Sequence, residues 1–279
     1  MRMTPEALLA RERELLARLR SLGSVLVGYS GGVDSTYLAA VALEALGPDR
    51  SLAVLGKSPS VAAEQWRTAV EVATAAGIPL LVVDTHELDD PRYAANPSNR
   101  CYFCKAVLWT TLVPIARERR LRAVVDGTNA DDRADYRPGA AAAAERAVTS
   151  PLADLGFTKD DIRALSRRRG LPTWSQPSSP CLASRIPYGT AVTPERLRQV
   201  DAAERALREL GITGDLRVRH HEDLARVELA ARELDEWLAA DRHEALRRAV
   251  IAAGFARVAI DLRGFRSGSL NVLEGVVAA

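Results

Sequence analysis

The run Ser30-Gly31-Gly32-Val33-Asp34-Ser35-Thr36 combines the residue types needed to hold a phosphate chain. Glycines let the backbone approach an anion closely. Unsatisfied N–H groups at the start of a helix then bind it. Ser30, Ser35 and Thr36 add hydroxyls. Asp34 makes sense beside phosphates if a divalent cation, Mg2+, bridges it to them. The run lacks the Gly-Lys-Ser/Thr ending of P-loop NTPases and the glycine spacing of dinucleotide folds. Lys57-Ser58 follows a second apolar run, and Gly127-Thr128-Asn129 with Asp132 follows a fourth. These are the carboxyl ends of strands, where α/β proteins bind ligands. An ordinary Asx-rich turn is the plain alternative for the last of these loops.

Cysteine occurs three times, as Cys101, Cys104 and Cys181. An odd number argues against a disulfide framework, and close spacing in a reducing compartment points to metal binding or chemistry. Cys101 and Cys104 share one helix face. With Cys181 they suit an iron–sulfur cluster that leaves one iron without a thiolate, four cysteines being the usual set. Other readings stay open. Zinc could take the three thiolates with His86, His220 or His221. A Cys101/Cys104 dithiol could resolve a persulfide on Cys181. All three could simply be core residues. Arg217 and Arg219 alternate on an expected strand and therefore point to one face. That suits a phosphate fork, or else a solvated strand face.

The elements that must position these residues alternate. Helix is expected over 5–22, strand at Val25-Leu26-Val27, helix from Ser35 to Leu46, strand in SLAVLGKSP, helix over 61–76 and strand in IPLLVVDT. ELDDPRYAANPSNR reads as a loop, CYFCKAVLWTTLVPIARERR as a helix, and RAVVDGTNADDR as a fourth strand with a polar loop. Such alternation implies an α/β, doubly wound parallel sheet. Beyond residue 150 the pattern changes. Thr158 is a fitting N-cap for a helix, and a Pro- and Ser-dense stretch follows. The tail reads helix (194–210), strands (215–220 and 224–230, a hairpin around Glu222-Asp223), helix (231–253) and strand (256–262). This is a second, smaller α+β domain. The expected division is 1–180 and 181–279.

The length of 279 residues suits one large or two modest domains. Lys and Arg number 38 against 36 acidic residues. That lacks the basic excess of a nucleic-acid binder. No apolar run approaches the ~20 residues that cross a bilayer. The charged N-terminal stretch has no signal-peptide h-region. The expectation is a cytoplasmic protein without nucleic-acid or membrane partners.

SGGVDST resembles the PP-loop of ATP pyrophosphatases, which release pyrophosphate by breaking the α–β bond of ATP. Together with NPSNRCYFCK (96–105), DGTNADDRADYRPG (126–139), PCLASRIPYG (180–189) and RVRHHEDLARVEL (217–229), it makes the chain resemble the LarE-type sulfur transferases from about residue 10 to 270. The resemblance implies an adenine nucleotide alpha hydrolase-like fold. It implies ATP held by Ser30, Gly31, Gly32, Asp34, Ser35, Lys57, Ser58, Gly127, Thr128, Asn129 and Asp132. The implied substrate is pyridinium-3,5-biscarboxylic acid mononucleotide, held by Lys105, Ser184, Arg185, Glu204, Arg217 and Arg219. Lys105 and Arg185 would hold its carboxylates or lower the pKa of the thiols beside them. ATP would adenylate a carboxylate, sulfur would displace AMP, and the thiocarboxylate would serve nickel-pincer nucleotide synthesis. In the single-cysteine branch the residue matching Cys181 gives up its own sulfur. This chain resembles the three-cysteine branch, in which Cys101, Cys104 and Cys181 hold a [4Fe-4S] cluster that carries sulfide. A homo-oligomer and a sulfide or sulfur donor are implied as well. Rival functions are a tRNA-thiolating PP-loop enzyme, an iron–sulfur storage protein and an amide-forming synthetase.

Overall fold

The computed structural model describes residues 4–134, 138–177 and 179–266. Residues 135–137 of the DGTNADDRADYRPG motif, and the stretch of the resemblance from 267 to 270, lie outside them. In chain order the elements are α1 (Pro5–Leu22), β1 (Val25–Tyr29), α2 (Val33–Leu46), β2 (Ser51–Lys57), α3 (Ala63–Ala75), β3 (Leu80–Asp84), α4 (Pro91–Ala94), α5 (Arg100–Glu118), β4 (Ala123–Asp126), α6 (Gly139–Ala144), α7 (Pro151–Asp154), α8 (Lys159–Arg168), α9 (Pro194–Glu209), β5 (Leu216–His221), β6 (Leu224–Leu229), α10 (Leu234–Leu238), α11 (Ala240–Ala252) and β7 (Arg257–Ile260). α2 starts at Val33 rather than Ser35 because Gly32 adopts the extended cap conformation. The helix expected over 231–253 is interrupted where Ala239 is extended (ψ 143°), which separates α10 from α11.

The chain divides into two units: Met1–Glu87 with Asn99–Ser179, and Leu88–Ser98 with the chain from Pro180 onward. The first unit carries a parallel sheet in the order β3-β2-β1-β4. Its inner strands β1 and β2 are largely apolar runs because both faces are covered, whereas the edge strand β3 leaves Val82 exposed. Val25, Val27 and Tyr29 of β1 enter one core with Leu15, Leu38 and Phe157, while Leu26 enters the other with Val54, Trp109 and Leu112. Burying such a side chain contributes roughly 1.5–3 kcal/mol. Strands β2 and β3 add to one side of β1, and β4 adds to the other. The winding reverses at β1, so ligands belong outside the carboxyl ends of β1 and β4.

The second unit has a sheet in the order β5-β6-β7, with β5 antiparallel and β7 parallel to β6. Leu88–Ser98, which reads as a loop in the sequence, is stitched into this unit. Asn96 is fully buried. It sits at φ 57°, a left-handed conformation that asparagine tolerates. Its amide donates to the carbonyls of Ile186 (3.3 Å), Pro187 (2.7 Å) and Thr190 (2.9 Å). Gly189 N–H donates back to the Asn96 carbonyl at 2.9 Å.

Candidate active site

The Ser30–Gly32 turn joins β1 to α2 and is held open by its own side chains. Ser35 Oγ accepts from the Ser30 N–H (3.1 Å), lies 3.1 Å from Ser30 Oγ and donates to the Gly32 carbonyl (3.2 Å). Gly31 has φ +76°, and a Cβ there would lie 2.4 Å from the Cβ of Ala69 on α3. No other residue fits that position without moving a helix. The first bond of the α2 ladder runs from the Thr36 N–H to the Gly32 carbonyl (3.0 Å). The N–H groups of Val33, Asp34 and Ser35 therefore precede the ladder, as donors for an anion.

The loop after β4 closes against this turn. A Cβ on Gly127 would meet the Ser35 nitrogen at 2.9 Å, so glycine is what lets the two loops touch. Asp126 braces the loop by accepting from the Thr128 N–H (3.1 Å), the Thr128 hydroxyl (3.0 Å) and the Ser150 hydroxyl (2.7 Å). Asn129 and Asp132 bond reciprocally, each accepting the other's backbone N–H. Asp34 points into this corner. Its Oδ2 is ion-paired with Lys159 of α8, and its buried Oδ1 has no hydrogen-bond partner among the described residues. Burial pushes the Asp34 carboxyl up, Asp132 adds to the rise, and the Lys159 ammonium pulls it back. A buried carboxylate oxygen that makes no well-formed hydrogen bond, with only the Asn129 side chain close by, fits Mg2+, which takes one or two carboxylates and completes its shell with phosphate oxygens and water. Lys57, at the end of β2, lies over the Trp66 ring at 4.7 Å. Ser58 Oγ accepts the Ser60 N–H at 3.1 Å.

In the second unit, Cys181 caps a 3-10 turn, Leu182–Arg185. The buried Arg185 guanidinium reaches back over that turn. It donates to the carbonyls of Pro180 (2.7 Å) and Cys181 (3.0 Å) and to Ser184 Oγ (3.0 Å), and binds Glu204 of α9 in a two-pronged pair. Glu204 also accepts the Val218 N–H (2.9 Å). Arg185 and Glu204 thus fix the cysteine turn to α9 and β5. Arg217 and Arg219 do share a face of β5, opposite Glu228 and Arg226 of β6. Their fates differ. Arg219 is paired with the fully buried Glu228 (2.8 Å) and donates to the Ser184 carbonyl (3.0 Å). Arg217 has no carboxylate partner among the described residues. It lies 5.0 Å over the Phe265 ring, and burial, with Arg185 and Arg219 nearby, pushes it down to about 10.

Cys101 and Cys104 sit in the first turns of α5, the former exposed and the latter half-buried. Lys105 is exposed, with its ammonium 5.4 Å over Trp109. Cys101 and Cys104 belong to the first unit and Cys181 to the second. Among the described residues no group of three or more His, Cys, Asp or Glu is arranged to hold a metal ion. His86 is exposed, and His220 is buried, 3.1 Å from Gln199 Oε1.

Residues 13–98 match the NAD synthase family. An NH3-dependent NAD+ synthetase of Pyrobaculum aerophilum is 44% identical over 66 residues, 24% of this chain and 25% of the relative. An uncharacterised protein of Synechocystis is 44% identical over 90% of this chain and 92% of its own length. The pyridinium-3,5-bisthiocarboxylic acid mononucleotide synthase of Lactiplantibacillus plantarum is 36% identical over 95% of both chains. The chain belongs to the LarE family. Membership makes it an ATP-using sulfurtransferase of the PP-loop type.

Within this LarE-family chain, the structure brings Ser30, Gly31, Gly32, Asp34, Ser35 and Gly127 together at one corner, with Asn129 and Asp132 adjoining. It gathers Ser184, Arg185, Glu204, Arg217 and Arg219 around the Cys181 turn. Sequence reasoning missed Lys159, Asp126 and Glu228. Lys159 carries a legible signal, since a cation at the first position of a helix opposes the helix dipole. Glu228 becomes legible only once the β5–β6 register is known.

Proposed function

We propose that this protein converts the carboxylates of pyridinium-3,5-biscarboxylic acid mononucleotide to thiocarboxylates at the expense of ATP. The observation that carries the reading is the relative of that activity, matched over 95% of both chains. In the first half-reaction a substrate carboxylate oxygen attacks the α-phosphorus of ATP and the bond to the β-phosphate breaks, releasing pyrophosphate. The amides of Val33, Asp34 and Ser35 stabilise the departing charge. Asp34 would hold the Mg2+ that neutralises it. In the second, a sulfur nucleophile attacks the acyl carbon and AMP leaves. Arg217 binds the substrate's phosphate, while Arg185, Glu204 and Arg219 hold the turn that carries Cys181.

Cys101, Cys104 and Cys181 are the thiolates that would hold a [4Fe-4S] cluster. Three thiolates would leave one iron without a thiolate, as the resemblance to the three-cysteine branch implies. The cluster supplies, when bound, an iron position on which sulfide can be carried. The test is anaerobic turnover with ATP, Mg2+, the mononucleotide and sulfide as the sulfur source. AMP, pyrophosphate and thiocarboxylate are expected in matched amounts, with about four irons per chain and an intact Cys181. Dehydroalanine at position 181 would instead make that cysteine the sulfur donor. Absence of AMP would overturn the whole reading.

A further inference from the structure

Helix α5 carries Cys101, Cys104 and Lys105 in its first turns, and β1 leads into the turn at 30–36. The helix is seated on the sheet through glycines. A Cβ on Gly28 of β1 would lie 2.6 Å from Cη2 and 2.8 Å from Cζ3 of Trp109. One residue earlier on α5, Leu108 lies against Gly56 of β2, where a Cβ would meet its Cδ1 at 2.9 Å. A glycine inside a strand weakens it and marks a close approach. Trp109 is fully buried, and its Nε1–H has no hydrogen-bond partner among the described residues. An unpaired buried donor costs stability. Local penalties that coincide at one contact mark a place where function outweighs them.

The direction of α5 gives that contact its meaning. The helix feeds β4 at the strand's amino end, and β4 is parallel to β1. It therefore runs antiparallel to β1. Going back along α5 from Trp109 to Cys104 covers ~7.5 Å of helix. Going forward along β1 from Gly28 to Ser30 covers ~7 Å of strand. Both paths lead toward the same edge of the sheet. The Lys105 ammonium lies 5.4 Å over the same indole. Helix α6 pins this turn as well: a Cβ on Gly139 would meet Lys105 Cγ at 2.8 Å, and the Tyr102 hydroxyl donates to Glu145 Oε2 (2.8 Å). We propose that Trp109, seated on Gly28, is a positioning residue for sulfur transfer: it sets how far the cysteine turn at 101–105 stands from the acyl-adenylate formed at the turn at 30–36. Sulfur displaces AMP from that adenylate to give thiocarboxylate, whereas water displaces AMP and returns the carboxylate. A cysteine turn set too far back leaves the adenylate to water. This rests on the proposed reaction, with α5 serving its sulfur step.

The experiment counts AMP and thiocarboxylate from the full chain in anaerobic turnover with ATP, Mg2+, the mononucleotide and sulfide. In Gly28→Ala the indole must move by about 1 Å to regain ordinary contact. A misplacement of that size costs a positioned step up to about a hundredfold. AMP is therefore expected to exceed thiocarboxylate about tenfold or more, while AMP formation itself continues. Adding Trp109→Phe to Gly28→Ala removes the two ring carbons that approach Gly28 and should bring the ratio back toward one. Trp109→Phe alone leaves a gap and should also raise the ratio, so it carries the test if Gly28→Ala does not fold. A contact that only supports the fold would lower both products together, and a ratio that stays at one overturns the proposal. A crystal structure of Gly28→Ala reads the cause without turnover: the 101–105 turn should be displaced relative to the turn at 30–36, and an unmoved turn overturns the proposal equally. Absence of AMP from the wild type would instead overturn the reaction itself.

Discussion

The Ser30–Thr36 turn of the first unit and the arginine face of the second, both proposed here to take anions, are built by opposite means. The turn uses backbone N–H groups and glycines, with Lys159 and Asp34 as its close charge pair. Its parts lie within a few residues of one another, and its shape is enforced by tight approaches at Gly31 and Gly127. The arginine face uses long side chains drawn from separate segments: Arg185 with Glu204, Arg219 with Glu228, and Arg226 with Asp261. Among the described residues of that face, Arg217 has no carboxylate partner. A backbone site is sensitive to volume, whereas a side-chain site is sensitive to charge balance.

That contrast can be broken at defined points. The largest effect on stability is expected from Glu228→Ala, which leaves the buried Arg219 uncompensated and should cost about 3–5 kcal/mol in denaturant unfolding. A loss near zero would mean the arginine face is solvated. Gly31→Ala adds no charge, yet it should cost roughly 2–4 kcal/mol, from overpacking against Ala69 together with the left-handed backbone. A crystal structure of that variant would show α3 displaced. Asp34→Asn should fold normally but slow AMP formation about a hundredfold, in line with removal of one electrostatic stabiliser. Arg217→Gln should leave the fold as stable as before or stabilise it. The sign follows from Arg217 being pushed down, by burial first and then by Arg185 and Arg219: its charged form is disfavoured in the fold, so removing the charge does not destabilise it. What the variant should lose is thermal stabilisation by a phosphate monoester. The smallest effect on the fold is expected from Cys101→Ser, at an exposed position. Iron content after anaerobic reconstitution should nevertheless fall, and unchanged iron would remove Cys101 from the cluster.

The sequence by itself determined the doubly wound sheet, the phosphate turn and the family. These rest on local signals: short apolar runs ending in glycine-rich loops, and a turn whose chemistry needs contiguous residues. The same locality made Thr158 legible as a cap and Glu222-Asp223 as a hairpin turn. The tertiary structure alone decided which charges meet. Lys159 reaches Asp34 across 125 positions, and Asn96 draws 88–98 into the second unit through carbonyls some 90 residues away. Arg217 and Arg219 read alike in sequence, and only the tertiary structure separates the one paired with Glu228 from the one without a carboxylate partner among the described residues. A side chain's partner is set by packing over long chain distances, and no periodicity in the sequence encodes it.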